Sequence, residues 1–157
     1  TEVAPVLNIA HKETFYTIKN QILVFAGKMG LISNSVVIDG DNYQVVSEIG
    51  YMELGTDIAV LLVPGEIAAE LIYGGCLTAD KSWTGTDWTY APIADMTDGR
   101  EVIVFGITND QIGYIIPDND YMALLEPSNK SLELVATGNE TASAMVNDFE
   151  ALIGSVR

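Results

Sequence analysis

Two short stretches hold residue types that can do chemistry at a fixed place. One is Pro64-Gly65-Glu66, a carboxylate set directly after a turn signal. The other is Thr108-Asn109-Asp110-Gln111-Ile112-Gly113-Tyr114, where turn-forming polar residues and a glycine precede a phenol. Each follows an apolar run of strand length: Asp57 to Val63 before the first, Arg100 to Ile107 before the second. In layered α/β proteins, functional groups gather beyond the C-terminal ends of the central strands. If these two strands are parallel neighbours, Glu66 and Tyr114 can meet there. A carboxylate so placed can ligate a metal or act as a general base.

Each residue also has a structural reading. Glu66 after Pro-Gly suits a helix start, where the helix dipole favours negative charge. Tyr114 stands among Ile112, Ile115 and Ile116 and reads as a core residue with a satisfied hydroxyl. Asn109 and Asp110 are turn formers. Gly113 supplies a backbone angle that other residues avoid. His11 is the only histidine, sits in a polar stretch and faces solvent. One histidine neither builds a zinc site of the usual composition nor completes a Ser-His-Asp arrangement. Cys76, after Gly74-Gly75, reads as a small buried residue. Asp39, Asp41 and Asn42 lack the calcium loop's length and closing Glu, so they form a turn. Trp83, Trp88 and Tyr90 either pack beneath a long loop or offer a platform to a glycan or lipid.

The elements that must position these residues follow from patterning. Val3 to Ala10 can open with a strand, broken by the polar His11 to Glu13. Ile18, Ile22, Phe25, Ala26 and Met29 recur at helical spacing within Thr17 to Met29. Ser35 to Ile38 and Tyr43 to Leu54 read as strands joined at Asp39-Gly40-Asp41-Asn42. Asp57 to Val63 reads as a central strand covered on both faces, and Arg100 to Ile107 as a second buried one. A short helix runs through Glu70 and Leu71 and stops at Gly74-Gly75. Thr78 to Gly99 is irregular, Ile112 to Ile116 extended, and Leu132 to Ala136 an edge strand. Thr137 and Glu140 are spaced as a capping box. Ala142, Met145, Val146, Phe149, Leu152 and Ile153 then share one helical face. The expectation is one domain of α/β or α+β class: a layered mixed β-sheet flanked by helices, with a C-terminal amphipathic helix.

Composition bounds the partners. The chain of 157 residues carries 22 acidic and 7 basic side chains, a net charge of −15. Such a field repels phosphate backbones, so no nucleic acid is expected, and no apolar run reaches a transmembrane segment's length. A single cysteine excludes an internal disulfide. The chain opens at Thr1 without a Met, which fits processing or truncation, so the missing signal peptide says little about compartment.

Leu61-Leu62-Val63-Pro64-Gly65-Glu66 resembles the Pro-Gly-Glu strand end of the neutral/alkaline ceramidase family. Phe105-Gly106-Ile107-Thr108-Asn109-Asp110-Gln111-Ile112-Gly113-Tyr114 resembles that family's second marker, with Tyr five residues after Asn and a further Tyr matching Tyr121. The resemblance spans most of Val36 to Tyr121. It implies a zinc-dependent amidase cutting the N-acyl bond of sphingoid lipids, with Glu66 and Tyr114 as zinc ligands. Gly65, Asn109, Asp110, Gly113 and Tyr121 then support the rim. The family's two histidine ligands lie upstream and have no match here. The chain accordingly reads as the later half of a catalytic domain, inactive alone, whose partners are the missing N-terminal part and an amide or lipid substrate. Its sheet is expected to expose an apolar patch, or to hide it in a homodimer. The family points to a secreted or periplasmic location. Two other readings stay open. One is a non-catalytic secreted module contacting a glycan or partner protein. The other is a hydrolase using two carboxylates spaced about 5 or 6.5–9.5 Å apart.

Overall fold

The computed structural model describes residues 4–75, 77–122 and 130–156. Along these residues run β1 (Leu7–Thr17), α1 (Gln21–Lys28), β2 (Val36–Asp39), β3 (Asn42–Leu54), β4 (Ile58–Leu62) and β5 (Glu66–Ile67). They continue with α2 (Ala69–Tyr73), β6 (Glu101–Phe105), β7 (Tyr114–Ile115), α3 (Lys130–Glu133) and α4 (Thr141–Val156). Short 3-10 turns lie at Ile93–Met96 and Asp118–Asp120. The fold is a mixed α/β arrangement of a five-stranded sheet, a two-stranded ribbon and flanking helices. The main sheet runs β1-β3-β4-β6, with β2 also paired to β3. All its pairs are antiparallel except β4 with β6, which are parallel. A parallel pair needs a long crossover, and the chain from Val63 to Arg100 supplies it.

The twofold period of a strand sorts the side chains onto two faces. Tyr16, Val45, Ile49, Tyr51, Ala59 and Leu61 point to one face and are buried there. Helix α4 covers that face with Ala142, Met145, Val146, Phe149, Leu152 and Ile153, all buried. Leu71, Ile72 and Ile93 complete the same core. A buried carboxylate also lies on this face. Glu53 accepts from Tyr51 Oη at 2.9 Å and Asn8 Nδ2 at 2.7 Å, and pairs with Arg100 Nη1 at 3.3 Å. This joins β1 and β3 to the residue just before β6.

The opposite face stays open and apolar. Leu7 is 60% exposed, Ile9 63% and Phe105 55%, with Phe15 and Ile103 also exposed. The register joins them through Ile9–Met52, Met52–Val60, Val60–Ile103 and Leu62–Phe105. Polar groups interrupt the face where His11 Nδ1 meets Glu48 Oε2 at 2.9 Å beside Glu13, and at Glu101 on the edge.

Several sequence expectations are corrected. His11 to Glu13 is no break: β1 runs through it, because Lys12 can reach across to Asp148 of α4 at 2.6 Å. Helix α1 starts at Gln21, since Asn20 caps it by accepting from the Ile22 amide at 3.0 Å. Its proposed core face is turned out, with Ile22, Phe25 and Met29 exposed and Val24 buried. Strand β6 is an edge whose Ile103 and Phe105 face outward, so it is not a buried strand. Leu132 to Ala136 is the end of α3 and a turn, because the Asn20 amide gathers the carbonyls of Glu133, Leu134 and Ala136 at 2.9–3.1 Å. Helix α4 begins at Thr141, so Thr137 and Glu140 form no capping box. Thr137 Oγ1 bonds Thr141 Oγ1 at 2.6 Å and Glu140 pairs with Lys19. The Ser143 amide is instead met by Asp118 Oδ1 at 3.4 Å. Cys76 lies outside the described residues.

Removing Glu53 takes the acceptor from the buried Tyr51 hydroxyl and from Asn8, and leaves the part-buried Arg100 guanidinium only the Thr97 carbonyl at 3.0 Å and Asp98 at 3.7 Å. Glu53→Ala is expected to cost about 3–5 kcal/mol in denaturant unfolding. Ile9→Ser, on the open face, is expected to change stability by less than about 0.5 kcal/mol in dilute solution. A larger loss at Ile9 would mean that the face is covered, as in a homodimer.

Candidate functional site

The site is built at the C-terminal ends of β4 and β6. Beyond β4, Val63 N donates to Phe105 O at 2.9 Å and Thr108 N to Val63 O at 2.9 Å. Ile107 N then reaches Gly65 O at 3.2 Å and Ile112 N reaches Pro64 O at 2.8 Å. The segment 106–113 is thereby laid over Pro64-Gly65. A side chain at Gly65 would put its Cβ 2.5 Å from Gly113 O, so only glycine lets the two segments meet. Gly113 has φ +89, and a Cβ there would stand 1.7 Å from Val135 O.

This contact leads directly into the ribbon. Glu66 N donates to Gly113 O at 3.0 Å, and β5 pairs in parallel with β7 in the register Glu66–Tyr114 and Ile67–Ile115. Partners in register on adjacent strands project from the same side of a ribbon. Side-chain hydrogen bonding to the Glu66 carboxylate, reinforced by its charge, raises the Tyr114 phenol above the ordinary tyrosine value. Both line a cleft of about 360 Å³ together with Glu70 and Asp120, against a wall of Ile115, Ile116 and Pro117. On its other side Glu66 borders a second cleft of about 380 Å³, mostly apolar, with Leu23, Leu31, Ile32, Val36 and Ile112 among its lining.

Glu66 and Tyr114 are therefore brought together, with Gly65 and Gly113 beneath them. Glu66 does not start a helix: it lies in β5, three residues before α2 begins. Tyr114 is half-buried at the cleft and is not a core residue, while Ile112, Ile115 and Ile116 are buried behind it. Asn109 and Asp110 line neither cleft. Asn109 Nδ2 donates to Glu48 Oε1 at 2.9 Å, and Asp110 Oδ1 accepts from Asn34 Nδ2 at 2.8 Å. Tyr121 is half-buried outside the cleft, and burial followed by the nearby Glu133 raises its phenol. Glu70, Asp120, Asn34 and Glu48 were not singled out by sequence. Of these only Glu70 lies close to Glu66 in sequence, at the start of α2. Two non-glycine residues of the loop hold left-handed backbone angles, Ile107 (φ +53) and Asn109 (φ +70). For a β-branched residue such as Ile107 this is a genuine outlier. Strain of this kind is worth about 1–3 kcal/mol per residue and persists only where surroundings impose it.

The aromatic loop is a separate feature. Trp88 and Tyr90 lie 4.9 Å apart at 42° beside a groove of about 260 Å³, and Trp83 does not line it. Trp88 packs against the core. Among the described residues no group of three or more His, Cys, Asp or Glu side chains is arranged to hold a metal ion. No helix among them is long and apolar enough to cross a membrane.

Glu66→Gln replaces the carboxylate hydrogen bond to the Tyr114 phenol by a neutral, weaker one and removes the charge that adds to it. The Tyr114 titration, followed by NMR of its ring carbon, is expected to move down toward the ordinary value of 10.0. The sign follows from linkage: a raised phenol contributes stability below its unfolded value, lost as pH rises through the folded one. The variant is thus expected to flatten the alkaline fall in stability. An unmoved Tyr114 titration would contradict the pairing. Gly113→Ala is expected to destabilise by more than about 3 kcal/mol, through the left-handed angle and the clash with the Val135 carbonyl.

No protein-family model matches the chain, and no curated protein matches it. Among solved structures it is similar to the neutral ceramidase from Pseudomonas aeruginosa, with a TM-score of 0.54 and 15% sequence identity. That alignment covers 96% of this chain and 28% of the ceramidase chain. The likeness is one of fold: the chain has a ceramidase-like fold and spans just over a quarter of that protein's length.

Proposed function

We propose that this chain is the Glu/Tyr-bearing part of a zinc-dependent amidase that cuts the N-acyl bond of a sphingolipid-like substrate. The observation that supports it most is the pairing of Glu66 with Tyr114 in one cleft, at the joint C-terminal end of two parallel strands. The fold likeness to a neutral ceramidase adds to it.

The donor chemistry fits a zinc ion. A carboxylate oxygen is an ordinary zinc ligand. Hydrogen bonding to Glu66, and then its charge, raises the Tyr114 phenol, and a dication beside both oxygens reverses that local pKa logic and favours the phenolate. When bound, zinc supplies Lewis-acid polarisation of a carbonyl and makes water a nucleophile near neutral pH. Two oxygen donors leave the ion's shell incomplete, so further ligands come from another part of the catalytic domain. By itself the chain is then inactive and holds zinc weakly. The chain's own residues orient and exclude water. Gly65 and Gly113 fix the separation of β5 and β7, and the isoleucine wall dries one side of the cleft. The second, apolar cleft beside Glu66 suits a hydrocarbon tail. The open sheet face suits packing against the rest of the domain. A secreted or periplasmic setting accords with this reading.

A non-catalytic module contacting a glycan or partner protein is the second reading. It draws on the exposed Trp83 and the Trp88–Tyr90 groove. The position of Tyr114 against Glu66, rather than in the core, favours the amidase.

The deciding measurement is zinc content of the protein in its full-length form, compared with Glu66→Ala, with hydrolysis of a fluorescent N-acyl-sphingosine in parallel. The expected result is about one tightly held zinc per chain, lost together with amide cleavage in the variant. Zinc absent from both proteins would overturn the amidase reading and leave the binding module.

A further inference from the structure

The Glu66–Tyr114 pair depends on a loop that its own backbone preferences disfavour. Residues 106–113 carry left-handed angles at Ile107 and Asn109 as well as at Gly113. Ile107 has no side-chain polar group with which to compensate. The loop must therefore be imposed by its surroundings. Backbone bonds from Val63, Pro64 and Gly65 hold its two ends. The middle, Asn109 to Gln111, is held by side chains from elsewhere. Asn109 Nδ2 donates to Glu48 Oε1 at 2.9 Å, and the other oxygen of Glu48 meets His11 Nδ1 at 2.9 Å. Asn34 Nδ2 donates both to Asp110 Oδ1 at 2.8 Å and to Gln111 O at 3.2 Å. Gln111 leads at once into Ile112 and Gly113, whose backbone receives and sets Glu66 and starts β7.

We infer that Glu48 and Asn34 are positioning residues for the Glu66–Tyr114 pair. They pin the middle of the strained loop at two points, one on β3 and one in the segment before β2. Neither hydrogen-bonds to Glu66 or Tyr114, although Asn34 lines the apolar cleft with Glu66. Each acts through the loop, and Glu48 does so with His11 steadying its second oxygen. The functional meaning rests on the amidase reading. The positioning itself is a property of the chain without zinc, so its test is made zinc-free and its outcome is separate from that of the zinc assay.

The test uses four variants: Glu48→Ala, Glu48→Gln, Asn34→Ala and Asn109→Gly. Two quantities are read by NMR on each: the Tyr114 phenol titration and amide exchange at Glu66 and Ile112. Glu48→Ala and Asn34→Ala are expected to bring the Tyr114 titration down toward the ordinary tyrosine value. They are also expected to speed exchange at Glu66 by at least about fivefold, the worth of one hydrogen bond. Glu48→Gln loses the charge and keeps an oxygen for the Asn109 amide. It is expected to behave as the wild type, which separates pinning from through-space electrostatics. Asn109→Gly removes the side chain and also relieves the left-handed strain. Its thermal midpoint should hold or rise while the Tyr114 titration still falls, a combination that loss of folding cannot produce. Wild-type titration and exchange in Glu48→Ala and Asn109→Gly would overturn the proposal. A Glu48→Gln variant matching Glu48→Ala would overturn it too, by making the effect one of charge. Should Glu48→Ala fail to fold, Asn109→Gly alone decides in the same way.

Discussion

The parallel pairing of β4 with β6 is the constraint on which the candidate site depends. It fixes Ile58 opposite Glu101 and Leu62 opposite Phe105, so the two strands end at one rim and run in one direction. Antiparallel strands would have put Pro64-Gly65-Glu66 and the 106–113 loop at opposite ends of the sheet. Because they emerge together, the free amides and carbonyls past each strand end satisfy one another. A polar backbone group buried without a partner would otherwise be expensive. The same bonds carry the pairing on into β5 and β7. The Glu66–Tyr114 pairing thus resumes beyond the Leu62–Phe105 pair in a new register, the extra residues on the β6 side forming the 106–113 loop across the glycine contact. The buried Glu53–Arg100 pair secures the other end, tying the residue before β6 to β3.

Much of this was legible in the sequence because it follows from short-range signals. The two apolar runs, the Gly-Asp hairpin and the face of α4 are periodicity and turn chemistry, and the structure keeps them. The approach of Glu66 to Tyr114 was legible as a conditional statement, since strand ends can be read and strand order cannot. What escaped was set by distant partners. The start of α1 and the turn after α3 share one cause, the Asn20 side chain, which caps the helix with its oxygen and collects three carbonyls with its nitrogen. The first turn of α4 is served by Asp118, far upstream, so the local Thr137–Glu140 spacing misleads. Burial raises Asp118 above the usual carboxylate range even so, while its contact with Ser143 pulls the other way. The left-handed angle at Ile107 has no sequence signal at all, because isoleucine is a residue that avoids it.

The chain's acidity is managed in a consistent way. Lys12 meets Asp148, Lys19 meets Glu140, Arg100 meets Glu53 and Lys28 lies 4.9 Å from the centre of the Tyr43 ring. These four basic groups join elements, and among the described residues the cleft is lined by the acidic Glu66, Glu70 and Asp120 and by no basic side chain. A cleft of that sign attracts positive charge and repels anions. Of these acids, Glu66 is the one that raises the Tyr114 phenol, by hydrogen bonding first and by its charge second.

The open face and the Glu66–Tyr114 cleft have the same geometry behind them. Alternation along β1, β3, β4 and β6 places Leu7, Ile9, Ile103 and Phe105 on the side away from α4. A sheet with apolar residues on both faces is the pattern of a layer covered twice, whereas a solvated face alternates with polar residues. At the end of that face where β4 and β6 terminate, the polarity changes: His11, Glu48 and Asn109 replace the hydrocarbons. A body packed on the hydrocarbon part would bring its own groups to this polar end, beside the loop that carries Tyr114. One packing event would then both cover the face and bring further side chains to the rim where β4 and β6 end. The strained loop and the second apolar face thus meet at one place, because the parallel strands that end together there also carry Ile103 and Phe105 outward.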